Sequence, residues 1–202
     1  MIRPLETRET RERRERKSKT IIGLIITIIM VLSIVGYALL WGNSNESIEE
    51  KGYKFFKTEK GWQTTVKIEG KKFTLLSYFL PSELENVSLN GAFALKDFRN
   101  KVIYITIYSD DEDVITAASF FRNLEPFVER IQFACPKEKE NESFCSDLPI
   151  KECKSDFNSA IIVIKKGDKP KVSFEDCLII EGEGLELIKA VQKAIFKIFG
   201  IL

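Results

Sequence analysis

The stretch VIYITIYSDDEDVITAASFF, residues 102–121, decides the fold of this chain. Its first seven residues are almost all apolar and mostly β-branched, which is typical of a strand buried on both faces of a sheet. The acidic residues that follow stand where a helix would begin, because carboxylates favour the free N–H groups of a first helical turn. Apolar residues then recur at helical spacing. A buried strand followed by an amphipathic helix predicts an α/β domain, which we class as α/β (α+β).

The same alternation of strands and helices continues toward the C-terminus. Pro126 ends or kinks the first helix. A polar segment at 135–157, here called the excursion, carries three of the four cysteines. An amphipathic helix is expected at 184–199, with Leu185 among its inward residues. Further strands are predicted at residues 130–134, 160–164, 171–174 and 177–180.

The order β-α-β, excursion, β-β-α over residues 101–202 resembles that of a thioredoxin-like core. The resemblance is one of topology alone. The redox Cys-x-x-Cys of that family should follow the first core strand, where this chain reads SDDE (109–112), and a proline should precede the third core strand, where it reads NSA (158–160). A different α/β sandwich with the same element order is an open alternative.

A small antiparallel β region is predicted at residues 52–80, before the 101–202 core. Side chains alternate between apolar and polar over residues 62–69, and glycines at 61 and 70 mark turns. One or two short helices are expected within residues 82–99. The aromatic residues of the β region fit either a core or the lining of a ligand groove, and we favour a core. They are Phe55, Phe56, Trp62, Phe73, Tyr78 and Phe79.

The stretch IIGLIITIIMVLSIVGYALL, residues 21–40, has no charged side chain. Twenty helical residues span roughly 30 Å, the thickness of the hydrocarbon layer of a membrane. Inside lipid a single segment satisfies its own backbone hydrogen bonds only as a helix. We therefore predict one transmembrane helix at residues 20–41, which places the lipid bilayer among the partners. A helix buried in a protein core and a cleaved signal peptide are the alternatives.

Charges around this stretch predict its orientation in the cell membrane. Residues 1–19 hold eight Lys or Arg and four Glu, whereas the rest of the chain has a net charge of −3. The positive-inside rule puts this basic tail in the cytoplasm and an extracytoplasmic domain at 52–202 on the other side, after a linker at 42–51. Because the outer domain is mildly acidic, we expect no nucleic-acid partner.

A second resemblance rests on the stretch CLIIEGEG, residues 177–184, followed by a terminal amphipathic helix that ends in Gly-Ile-Leu. This ending resembles that of archaeal membrane-anchored proteins with a cysteine-containing outer domain. The resemblance implies a location at the membrane and no activity. The two glycines are interpreted as a turn, because Glu181 and Glu183 would repel a phosphate at this helix N-terminus.

All four cysteines lie in the predicted outer domain. An even number of cysteines on an oxidising side of a membrane indicates disulfides, and four cysteines allow three connectivities. We favour Cys135–Cys145, which would staple the excursion, and Cys153–Cys177, which would tie it to the sheet. A metal site and a catalytic dithiol are disfavoured, because the chain has no Cys-x-x-Cys spacing.

The chain contains no histidine, which excludes every mechanism that needs an imidazole base or a histidine metal ligand. It also lacks a P-loop, a G-x-G-x-x-G loop and a G-x-S-x-G elbow. The acids at 110–113 lack the spacing of a calcium loop and are better interpreted as helix caps. We therefore expect no catalytic, cofactor-binding or metal-binding residues.

Asn45, Asn86 and Asn141 each begin an Asn-x-Ser triplet and are candidate glycosylation sites if they lie on exposed loops. The preferred function is that of a non-enzymatic binding or assembly module of the cell envelope, which recognises a protein or an envelope polymer. The alternative is an extracytoplasmic thiol-disulfide oxidoreductase of thioredoxin-like fold. A hydrolase that uses carboxylates alone has no positive support.

Overall fold

The computed structural model describes residues 21–33, 46–154 and 158–202. The chain divides into two compact units, Met1–Asn45 and Glu46–Leu202. In the first unit, residues 21–33 form a helix, α1. No helix within the three described ranges is both long enough and apolar enough to cross a membrane.

Several predictions for the N-terminal unit fall outside the part of the chain that the structure describes. They concern the basic tail at 1–19, residues 20 and 34–41 of the expected span, and residues 42–45 of the linker.

The second unit begins with a four-stranded antiparallel sheet in the order β1-β2-β3-β4. Its strands are β1 (Ser47–Glu50), β2 (Tyr53–Thr58), β3 (Gly61–Ile68) and β4 (Lys71–Ser77). Two of its turns, Lys51-Gly52 and Glu69-Gly70, have positive φ at both residues. This is the backbone geometry of the two-residue turn that best matches strand twist.

Strand β1 lies inside the segment that the sequence analysis assigned to a linker. Its four residues carry one large apolar side chain, Ile48, which packs against the main core. Glu50 accepts hydrogen bonds from the backbone N–H (2.8 Å) and the hydroxyl (2.7 Å) of Ser82. The linker expectation was therefore wrong for residues 47–50, because these stabilising contacts are remote in sequence.

A six-stranded sheet follows, in the order β5-β9-β10-β8-β6-β7. Its strands are β5 (Ser88–Asn90), β6 (Val102–Ile107), β7 (Arg130–Ala134), β8 (Ser159–Lys166), β9 (Lys171–Phe174) and β10 (Leu178–Gly182). Strands β7, β6, β8 and β10 run parallel to one another, and β9 pairs with β10 in the antiparallel direction. The unit is thus a mixed α/β fold.

After the excursion the element order is β-β-β-α, so this half has one strand more than the β-β-α half of the thioredoxin-like order. Three strands follow the excursion, and the last of them, β10, lies between β8 and β9. Burial explains this order. The apolar residues of β8 and β10 are almost all buried, whereas β9 has an exposed lysine and two partly buried residues. The sheet therefore keeps its two most apolar C-terminal strands adjacent, and β9 lies next to the edge strand β5.

Two helices lie in the second unit, α2 (Glu112–Ser119) and α3 (Gly184–Ile198). Helix α2 continues as a 3-10 helix over Phe120–Phe127, which contains Pro126. Pro126 was expected to end or kink the first helix, and the change from α-helix to 3-10 helix lies upstream of it, at Phe120. Shorter 3-10 helices at Pro81–Leu84 and Leu95–Asp97 fill the region where short helices were expected.

The inward face of α3 was predicted correctly except at its first turn. Leu185 is 57% exposed, while Leu187 is fully buried. Two residues along a helix differ by about 200° in direction, so only one of these leucines faces the core. Val191 and Ile195 are buried, as expected.

One apolar core joins both sheets of the second unit. Phe55 of β2 and Phe196 of α3 meet edge to face, with their ring centres 5.9 Å apart. Among the aromatic residues of the β region, Phe55 and Trp62 are buried and Phe73 and Phe79 pack against the core. Phe56 and Tyr78 are exposed. The core interpretation therefore fits four of these six residues.

Gln192 of α3 holds the end of β4 by polar contacts inside this core. Its side chain is 2% exposed. The Oε1 atom accepts hydrogen bonds from the hydroxyl of Ser77 (2.7 Å) and from the backbone N–H groups of Tyr78 (3.0 Å) and Phe79 (3.1 Å). A single amide oxygen thus accepts from two backbone N–H groups beyond the end of β4, and the N–H of Phe79 also donates to the Ser77 hydroxyl (3.2 Å).

We predict that Gln192→Leu destabilises the protein by about 1–3 kcal/mol, because it leaves the partly buried N–H of Tyr78 without an acceptor, whereas the N–H of Phe79 keeps the Ser77 hydroxyl. Chemical denaturation of the purified chain measures this loss. Leu185→Ala is the matched control on the same helix, and its side chain is exposed. We expect the control to change stability by about 0.5 kcal/mol or less. Equal effects of the two substitutions would contradict the role given to Gln192.

Candidate functional site

Strand β6 divides its side chains between two faces of the six-stranded sheet. Ile103, Ile105 and Ile107 belong to the main core. The alternate residues point to the other face, because successive side chains of a strand alternate. There a second, smaller apolar cluster forms around Ile161 and Val163 of β8. This second face is the one that the excursion covers.

Two disulfides hold the excursion in place. Cys135 is bonded to Cys145, and Cys153 is bonded to Cys177, with Cα–Cα distances of 5.7 and 5.4 Å that suit such bonds. This is the pairing that the sequence analysis favoured. Cys177 lies directly before β10, so the second bond ties the excursion to the sheet. On the chain-entropy account, a bond across 24 residues contributes about 3–4 kcal/mol.

A backbone contact also fixes the excursion to the end of β7. The N–H of Cys135 donates to the carbonyl oxygen of Pro149 (2.9 Å), and the N–H of Lys151 donates to the carbonyl oxygen of Cys135 (2.8 Å). These two bonds form a parallel bridge between Cys135 and Ile150. The excursion is therefore held at both ends of its described part, by the bridge at β7 and by the disulfide at β10.

A groove of about 470 Å³ lies between the excursion and the second face of the sheet. We call it the excursion groove. It is lined by Thr106, Tyr108, Pro136, Lys137, Glu138, Glu140, Lys151, Glu152, Cys153 and Val163. A second depression of about 380 Å³ shares Lys137, Lys151 and Glu152 with it and extends toward Ile161. The two depressions are therefore neighbours on this face of the sheet.

The position of the groove in the fold is a common one for ligands. Strand β6 is flanked by β7 on one side and by β8 on the other, so the chain changes direction across the sheet at this point. Open α/β sheets bind ligands beside the carboxyl ends of their strands at such a switch point. Thr106 and Tyr108 lie at the carboxyl end of β6, within the groove lining.

The floor of the groove contains a buried hydroxyl without a partner. Thr106 is 1% exposed, and its Oγ1 atom makes no hydrogen bond. Burying such a group unsatisfied costs about 1–3 kcal/mol. Burial, together with the negative charge of Glu138, raises the pKa of Tyr108, and Lys165 opposes this effect. Tyr108 is therefore a neutral phenol at neutral pH and can both donate and accept a hydrogen bond.

Charged side chains of both signs surround the groove. Lys137, Glu138, Glu140, Lys151 and Glu152 form no ion pair within the described part of the chain. The ammonium of Lys151 lies 4.2 Å from the centre of the Tyr104 ring. Because these charges are not neutralised by each other, their hydrogen-bonding capacity is available to a ligand.

The capping role predicted for the acidic residues at 110–113 is not seen at Asp111, the N-cap of α2, whose side chain makes no capping hydrogen bond. Asp111 occupies the position before α2 and pairs with Lys166 at 2.8 Å, and hydrogen bonding to that ammonium lowers the pKa of Asp111. Asp113 accepts a hydrogen bond from the N–H of Gly184 (2.9 Å), so it caps α3. No group of three or more side chains suited to hold a metal ion occurs in residues 21–33, 46–154 and 158–202.

The structure places two of the three candidate glycosylation sites on the surface. Asn86 and Asn141 are exposed, and the amide of Asn86 donates to Glu186 at 3.2 Å. Asn45 lies outside the described residues. Glycosylation of all three stays a prediction.

Comparisons of this chain with models of known protein families, with curated proteins and with solved structures found no match.

Thr106 and Tyr108 were not among the residues expected to form a site. Their signal was present in VIYITIY, where residues 104, 106 and 108 are Tyr, Thr and Tyr and the residues between them are isoleucines. A strand with aliphatic residues on one face and hydroxyl-bearing residues on the other has two different environments.

We predict that Tyr108 titrates above pH 10, because burial and Glu138 both favour its neutral form. The folded protein holds this proton more tightly than the unfolded chain does. Its contribution to stability is therefore present below pH 10 and is lost as the pH rises through the folded pKa. An absorbance titration of phenolate measures the shift by comparing wild type with Tyr108→Phe.

Two further variants identify the cause of this shift. Glu138→Gln should lower the pKa of Tyr108, since it removes a negative charge near the phenol. Glu142→Gln is the control, because Glu142 is paired with Lys139 and is not among the groups that shift Tyr108. An unshifted tyrosine, or equal effects of both variants, would contradict the geometry of the groove.

Proposed function

We propose that this protein is a single-pass membrane protein whose extracytoplasmic domain binds a protein or an envelope polymer and carries out no chemistry of its own. The observation that carries the proposal is the excursion groove. Two disulfides hold its roof, its floor contains an unsatisfied hydroxyl, and its rim presents unpaired charges of both signs.

The location in the proposal rests on the sequence and on the cysteines. An uncharged apolar stretch of 20 residues follows a basic tail, which favours a membrane helix with a cytoplasmic N-terminus. Disulfides persist in oxidising compartments, and every cysteine of the described chain is bonded. Both features support an outer position for the globular unit.

Binding is favoured over catalysis by the chemistry of the groove. The chain has no imidazole base. The carboxylates and ammonium groups of the rim belong to residues on the excursion. The sulfur of Cys153 is bonded to Cys177, so it is not a free thiol. Such a set suits several hydrogen bonds to a ligand better than proton transfer at one atom.

A crosslinking experiment tests the groove in cells of the native host. A photoreactive amino acid replaces Lys137, at the rim of the groove, or Lys72, an exposed residue of β4 in the other sheet. We expect a discrete adduct from position 137 and none from position 72. Charge reversal by Glu152→Lys in the same chain should weaken the adduct. Equal labelling at both positions, or none at position 137, would overturn the proposal.

The second candidate is a thiol-disulfide oxidoreductase, and one observation favours it. Cys153 is only partly buried and lines the groove, whereas its partner Cys177 is 2% exposed. An accessible sulfur beside a groove is the arrangement that a dithiol enzyme requires. A disulfide-exchange assay separates the candidates. Turnover that is lost in Cys153→Ser and kept in Cys145→Ser supports the enzyme, and absence of turnover rejects it.

A further inference from the structure

The outer edge of β7 is open over Ile131 and Phe133. Strand β7 is the last strand of the six-stranded sheet. The backbone groups of Cys135 point away from β6, because they bond to Pro149 and Lys151 of the excursion. Backbone groups alternate in direction along a strand, so those of Ile131 and Phe133 point to the same outer edge. No strand of the described chain pairs with them there.

An apolar groove of about 300 Å³ lies beside this edge, on the helix face of the sheet. Ile115 of α2 and Phe133 of β7 line it, and both remain more than a third exposed, at 38% and 36%. Arg122 and Glu125 stand at its rim and pair with each other at 3.1 Å. An edge with free hydrogen-bonding groups and an adjacent apolar recess has the two parts of a strand-addition site.

This edge is protected only at its two ends. Natural edge strands are commonly blocked by lysines, by proline or by a covering segment. Strand β7 begins with the exposed Arg130, but the residues from Ile131 to Ala134 carry neither a charge nor a proline. The only covering segment in the described chain is the excursion, which pairs with β7 at Cys135 and leaves the preceding residues uncovered.

We propose that the β7 edge binds an extended polypeptide segment of another protein by strand addition. The backbone of that segment would pair with Ile131 and Phe133, and an apolar side chain at alternate positions would enter the recess beside Ile115. The segment is limited to about five residues, because the excursion occupies the edge from Cys135 onward. The apolar recess lies on the opposite face of the sheet from the excursion groove. Because strand addition needs a polypeptide backbone, the partner at this edge is a protein.

The bridge at Cys135 supports this occupant. Ile150 already adds to the same edge as a parallel neighbour through two backbone hydrogen bonds. The twist and exposure of β7 at its carboxyl end are therefore compatible with a paired strand. The proposed segment would continue that pairing toward the amino end of β7.

Selection of peptides on the full chain tests the proposal directly. The probe is a random seven-residue peptide library displayed on phage, applied to the protein in detergent micelles. We expect enrichment of peptides with apolar residues at alternate positions. Methylation of the backbone nitrogens of a selected peptide should abolish its binding, because strand pairing needs those donors.

Edge variants locate the binding site. Ile131→Pro removes one outward N–H and no bond to β6, and we expect it to weaken peptide binding about tenfold, as one lost hydrogen bond would. Phe133→Lys provides a second test with less risk to folding, because this side chain is already exposed. Lys72→Ala, on the other sheet, is the control and should change nothing.

Three results would overturn the proposal. The first is the absence of any enriched peptide. The second is binding that neither edge variant weakens. The third is a dimer, detected by sedimentation, that Ile131→Pro dissolves, since the edge would then belong to a second copy of this chain. Loss of crosslinks at Lys137 with intact peptide binding would instead reject the proposed groove function and leave this inference standing.

Discussion

The covalent bond between Cys153 and Cys177 is the constraint on which the candidate site depends. The excursion is mostly polar and contains two short 3-10 helices, so it has little apolar surface of its own to bury. A segment of that composition does not offset the entropy of ordering by burial alone. The disulfide reduces that entropy cost, since it limits the conformations of the unfolded chain. The groove exists because the excursion is held at a fixed height above β6 and β8.

The other half of the unit is held by ordinary burial and by polar contacts between α3 and the small sheet. Helix α3 packs between the two sheets through residues such as Phe196, and Gln192 binds the end of β4. These contacts involve the helix face of the six-stranded sheet, whereas the excursion covers the other face. The fold therefore separates a stable core from a disulfide-braced surface. This separation places the charged groups of the groove on the face of the sheet away from the main core.

Local pattern predicted most elements of the second unit, and long-range contacts explain the rest. The alternation of apolar and polar side chains over residues 62–69 predicted β3, and the apolar run VIYITIY predicted β6. The position of β10 between β8 and β9 could not be derived from the sequence. Several of the predicted strands are similarly apolar, and only the burial of the whole sheet decides which strands are neighbours. Strand β1 was missed because Ser47–Glu50 contains one large apolar residue and depends on the distant Ser82. The groove was missed because the predicted bond between Cys153 and Cys177 does not tell where the rest of the excursion lies, which depends on the bridge between Cys135 and Ile150.

Hydrogen–deuterium exchange of the protein before and after reduction tests the role of the disulfides most directly. We expect faster exchange at the amides of Cys135 and Lys151, whose bonds form the bridge, once the disulfides are reduced. Amides of α3 around Val191 should keep their protection, because the helix face of the core does not depend on the excursion. Unchanged exchange at 135–154, or an equal loss of protection throughout the unit, would contradict it.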